Sequence, residues 1–68
     1  MARELELKGR RYWILSQPGP AGWRSWVVEV NDQGGTEAVG IDATGETRGA
    51  ADVAAERKLR RLLQTPGV

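Results

Sequence analysis

Asp42, Glu46 and Asp52 are the closest this chain comes to a reactive constellation. Carboxylates grouped in this way suit a hard cation held through oxygen. The simpler reading gives them to a turn and the start of a helix, where acids complement unsatisfied backbone amides. Ser16, Ser25 and Thr44 are nucleophiles only beside a base, and the chain contains no histidine and no cysteine. Imidazole acid–base chemistry, thiol chemistry, the common zinc sites and disulfides are thereby removed. Gly34-Gly35 and Gly45 lack the lysine and spacing of a phosphate-binding loop. The chain reads as a non-enzyme, with no catalytic residue, metal site or cofactor expected.

Binding chemistry is better represented. Eight of the ten basic residues are arginine, the side chain suited to bidentate contacts with phosphate or carboxylate. They cluster as Arg3, Lys8, Arg10 and Arg11 near the start and as Arg57, Lys58, Arg60 and Arg61 near the end. A nucleic-acid surface built from Arg48, Arg57, Lys58, Arg60 and Arg61, with Trp23 and Arg24 supplying a stacking ring and a further cation, is one expectation. The net charge of only +1 makes such binding weak and salt-sensitive. The other expectation is a protein interface at Tyr12, Ile14 and Val27.

The elements that position these residues follow from periodicity. The stretch Gly45-Glu46-Thr47 leads into an alanine- and leucine-rich run that reads as a helix over residues 48–64, capped by Thr47 and stopped by Pro66-Gly67. Ala51, Ala54, Ala55, Lys58, Leu59 and Leu62 share one side, and Val53, Arg57, Arg60, Arg61 and Gln64 the other. Upstream, alternation predicts strands over 4–15, 23–30 and 37–43. Gly9-Arg10-Arg11 interrupts the first as a turn or a bulge. With the register continuous, Leu5, Leu7, Trp13 and Leu15 fall on one face and Tyr12 and Ile14 on the other, and a bulge reverses the second half. Residues 17–22 read as a loop with Pro18-Gly19 at the centre of a type II turn, and 31–35 as a hairpin connection. Trp26, Val28 and Val30 are expected inside, with Val39, Ile41 and Ala43.

The expected fold is therefore α+β. It is a three-stranded antiparallel β-sheet meander followed by one C-terminal α-helix packed on one face (β-β-β-α), forming a single domain over 1–68. A chain of 68 residues builds a modest core, and dimerisation commonly supplements one. A homodimer is expected. No apolar run reaches the about 18 residues of a membrane span, and no signal peptide is visible, so no membrane association and a cytoplasmic location are expected.

Two resemblances add to this reading. Gly19-Pro20 before Trp26, Val28 and Val30, followed by Ala50, Ala54, Ala55, Leu59 and Leu62, resembles the double-stranded RNA-binding domain over roughly residues 12–64. That resemblance implies RNA contacts from loop and helix. The position of the family's loop histidine is Gly22 here, and its helix-start lysine cluster is reduced to Arg48. Gly45-Glu46-Thr47 with Ala51, Ala55, Leu59 and Leu62 is similar to HicB-type antitoxin domains, with Ile41-Asp42-Ala43-Thr44 where that family has a proline–glycine–cysteine segment. This second resemblance implies an oligomer that binds a protein partner. The leading expectation is a small binding module acting through protein contacts. The alternative is a nucleic-acid-binding module using the basic helix face and the loop at 18–23.

Overall fold

The computed structural model describes residues 3–64. Four strands, β1 (Arg3–Leu7), β2 (Arg10–Gly19), β3 (Gly22–Val30) and β4 (Thr36–Gly45), precede one helix, α1 (Arg48–Gln64). The strands form an antiparallel meander in the order β1-β2-β3-β4. The architecture is thus α+β as expected, with four strands rather than three.

The extra strand comes from the interruption near Gly9. Lys8 and Gly9 both have positive φ, 53° and 78°, the backbone of a two-residue hairpin turn whose twist matches its flanking strands. Leu5 is thereby set opposite Tyr12 and Leu7 opposite Arg10. Leu5 and Tyr12, seven residues apart, would face opposite ways on one continuous strand. As a cross-strand pair they share a face.

The second hairpin also differs from expectation. Its turn is Pro20-Ala21, because Gly19 pairs with Gly22 and Pro18 pairs with Trp23. Pro18 is tolerated inside β2 because the described part of β1 reaches only to the pair Arg3–Ile14. Among the described residues β2 is an edge beyond that point, where a missing N–H breaks no ladder. The third connection is closed by Asn31, whose side-chain oxygen accepts from the amides of Gln33 and Gly35, both at 2.9 Å.

Between β3 and β4 the register shifts. Trp26 faces Asp42, whereas Val28 faces Ala38. Two residues of β3 thus advance against four of β4, so the bulge inserts two residues and the alternation survives it. Gly40 sits in this bulge with φ of 77°. Val39 and Ile41 keep the helix side, and Ala38 and Asp42 the opposite side.

The helix starts at Thr47, whose Oγ accepts from the Ala50 amide at 3.1 Å. Thr47→Ala is expected to cost about 1 kcal/mol, read as a fall of about 4–8 °C in the melting temperature of a domain this small. Ala51, Ala55 and Leu59 are fully buried on the sheet, and Leu63 continues their i,i+4 row. The helix contact follows that row, so Leu62, expected inside, is 53% exposed beside the β4 edge. Leu63 takes its place, and its carbonyl accepts from Lys8 Nζ at 2.6 Å, which satisfies an orphan acceptor of the last turn. Pro66-Gly67, read as the helix stop, lies outside the described residues. No helix among the described residues is long and apolar enough to cross a membrane.

The core lies between helix and sheet: Tyr12, Ile14, Val27, Ile41, Ala43, Ala55 and Leu59, with Leu5, Leu7, Val39, Ala54 and Leu63 at its margin. Under the first turns of α1, Ser25 is fully buried and donates to Asp52 Oδ1 at 2.7 Å. Glu56 holds both Arg3 at 2.9 Å and Arg60 at 2.8 Å, tying β1 to the helix.

Candidate protein-contact face

The cross-strand register determines what the other side of the sheet presents. Arg11, Trp13, Leu15 and Gln17 project from β2, and Val30, Val28, Trp26 and Arg24 stand opposite them on β3. Glu6 and Glu4 on β1 oppose Arg11 and Trp13. Thr36, Ala38, Asp42 and Thr44 on β4 oppose Val30, Val28, Trp26 and Arg24. No helix among the described residues covers this side. Trp13, Leu15 and Trp26 are each half-buried. Val28 and Val30 are only 8% exposed yet lie outside the cluster that packs under the helix. They are shielded by same-face neighbours across the strands, so the middle of the face is one continuous apolar patch.

Charge frames the patch in pairs. Arg24 donates to Asp42 Oδ2 at 2.7 Å, and its guanidinium carbon stands 6.0 Å from the Trp26 ring centroid. Arg11 approaches Glu4 at 3.8 Å. Pairs this exposed contribute little to stability, but they hold polar groups around an apolar centre, which is how a protein interface is built. The face carries Glu4, Glu6 and Asp42 against Arg11 and Arg24, a net charge of −1. Beside Trp26 the bulge opens a hollow of about 420 Å³, lined by Gln17, Arg24, Trp26, Ala38, Gly40 and Asp42 among others. A Cβ built at Gly40 meets nothing within 4 Å.

The residues singled out from sequence are distributed differently. Tyr12, Ile14 and Val27, expected on the uncovered face, are 2%, 0% and 1% exposed beneath the helix. The reason is the Lys8-Gly9 turn: once Leu5 pairs with Tyr12, the Tyr12–Ile14 side becomes the inner one. Trp13, Leu15, Trp26 and Val28, expected inside, form the open patch instead. The signal that points the right way is size. A helix that presents Ala51 and Ala55 to a sheet lies too close to cover two tryptophans, whereas Ser25, Val27, Ile14 and Ala43 fit beneath it.

The proposed nucleic-acid set is also divided. Trp23 pairs with Gly45 on the helix side, whereas Arg24 pairs with Thr44 on the open side. Lys58 donates to the Asp42 carbonyl at 2.7 Å, which covers a carbonyl of the β4 edge. Arg60 is bound to Glu56. Arg57 and Arg61 are exposed on α1, Arg61 beside β4 with Leu62, and Arg48 is partly buried at the helix start. Asp42 and Asp52 fall on opposite sides of the sheet, one paired with Arg24 and the other with Ser25. No group of three acidic side chains among the described residues is arranged to hold a metal ion. A second hollow of about 570 Å³ lies at the hairpin tip, between residues 17–24 and 44–46.

Fold and face together define an α+β protein of one sheet and one helix, with one sheet side uncovered among the described residues. Comparison with protein-family models, curated proteins and solved structures found no match to this chain.

Proposed function

We propose that this chain is a non-enzymatic binding module that acts through protein–protein contacts, with the open side of its sheet as the contact surface. The observation that carries this reading is the continuous patch Trp13–Leu15–Trp26–Val28 inside a frame of paired charges. Tryptophan set in a rim of arginine and acid is the composition of an interface centre. Large apolar patches on monomers are uncommon and mark places of association.

The test compares two surfaces by sedimentation velocity and by titration with mixed-sequence duplex RNA and DNA. Trp26→Glu is expected to abolish association, whereas Arg57→Glu combined with Arg61→Glu is expected to leave it intact. Neither duplex is expected to bind at near-physiological salt. Duplex binding that survives that salt and disappears with the helix arginines would replace this reading with the nucleic-acid one.

A further inference from the structure

The open face has an internal symmetry that its register makes visible. Strands lie about 4.8 Å apart, and same-face residues follow at about 6.8 Å along each strand, so the residues form a grid. Its central square is Trp13, Val28, Trp26 and Leu15. Glu4 flanks Trp13 on β1, and Asp42 flanks Trp26 on β4. Arg11 stands one step beyond Trp13 on β2, and Arg24 one step beyond Trp26 on β3. A half-turn about the face normal therefore carries Glu4 onto Asp42, Arg11 onto Arg24, Trp13 onto Trp26 and Val28 onto Leu15. The acids lie to the sides of the square, across the strands, and the arginines lie at its ends, along them.

A surface with acids on one axis and arginines on the perpendicular axis is complementary to itself after a quarter-turn. Laid face to face with strands aligned, two copies set Arg11 over Val30 or Val28, or over Gln17, depending on the dyad direction, and the arginines meet no acid. Crossed at about 90°, a recognised mode of sheet packing, each arginine comes within a few ångströms in projection of an acid of the other copy. Two crossed arrangements satisfy the charges. One stacks Trp13 on its own copy and Trp26 on its own copy, with Arg11 over Glu4 and Arg24 over Asp42 of the other copy. The other sets Trp13 of each copy beside Trp26 of its partner, over the hollow that Gly40 leaves open, with Val28 and Leu15 on the dyad. Both crossings bring a tryptophan of the other copy beside that hollow, and they differ in which acid each arginine meets.

We infer that a second copy of this chain covers the open face, with the two sheets crossed. Trp13 of each copy seats in the Gly40 hollow of the other, Glu4 pairs with the other copy's Arg24, and Arg11 pairs with the other copy's Asp42. The inference rests on the contact-face reading above and assigns that face its partner. The dyad makes every contact reciprocal. Two sheets of four strands, each about 19 Å across, overlap when crossed over on the order of 360 Å² in projection, a compact footprint. A standard interface takes about 800 Å² of accessible surface from each partner. The paired signs on the face favour a copy of itself as the occupant.

Charge exchange tests the arrangement. Glu4→Arg and Arg24→Glu each place two like-charged contacts in a crossed homodimer. Each variant alone is expected to dimerise at least tenfold more weakly than the unaltered chain in sedimentation equilibrium, with an unchanged circular-dichroism spectrum. Mixed in equal amounts they restore one native and one reversed pair, so a heterodimer is expected by native mass spectrometry. An unaltered chain that dimerises while the mixture does not recover overturns the crossed pairing and leaves the contact face standing. An unaltered chain that stays monomeric to millimolar concentration overturns the assignment of a second copy. If Trp26→Glu then changes no association of any kind, the contact-face reading falls with it.

Discussion

Val27→Glu is expected to leave the chain without a cooperative fold. Val27 is 1% exposed and sits opposite Ile14 beneath the helix. A carboxylate there loses its water within the apolar cluster of Tyr12, Ile14, Ile41, Ala43, Ala55 and Leu59. Burying an unpaired charge costs several kcal/mol after relaxation, and the lost valine burial adds about 1.5 kcal/mol. A single core of this size rarely supplies more than about 3–5 kcal/mol of net stability. The population therefore inverts. Far-UV circular dichroism and a urea titration read the result: no sigmoidal transition should remain. A native-like transition in this variant would mean that the helix does not cover the Val27 side.

Trp26→Glu, one residue earlier on the same strand, is expected to do the opposite. The fold survives and association is lost. Trp26 is half-buried on the open face. Its removal forfeits a cross-strand pair with Leu15, of about 0.2–1 kcal/mol, and the approach of Arg24 over its ring, of about 0.5–1 kcal/mol. The new carboxylate remains near water and near Arg24. The melting transition should stay cooperative, lower by several degrees. In the contact itself a central tryptophan is commonly worth 2 kcal/mol or more on truncation, and a charge in its place faces desolvation as well. The dissociation constant should rise at least about 30-fold, as RT sets for 2 kcal/mol. Sedimentation equilibrium measures it. Two adjacent substitutions with opposite outcomes separate the inner side of the sheet from the outer more sharply than either alone.

Part of this protein is legible in its sequence for local reasons. Thr47 caps a helix because its hydroxyl lies three residues before the Ala50 amide, and the alanines and leucines after it recur at helical spacing. Asn31 with Gly34 announces a tight connection because an asparagine oxygen can gather the amides that follow it. The absence of histidine and cysteine is complete in the sequence and needs no fold to interpret. These features depend on neighbours within a few residues, so the order of residues contains them.

The tertiary structure alone decided which side of the sheet is inside. In β2 and β3 both sides are apolar: Tyr12 and Ile14 alternate with Trp13 and Leu15, and Val27 lies between Trp26 and Val28. Period-two alternation carries no information when both phases are hydrophobic. The choice was made by contacts distant in sequence. The Lys8-Gly9 turn brought Leu5 onto Tyr12's side, and the small residues Ala51 and Ala55 let the helix settle where Ser25 could reach Asp52. Composition and local signals determined a sheet, a helix and a chain without histidine or cysteine chemistry. The helix, by covering one side, decided which residues form the core and left two tryptophans on the other side.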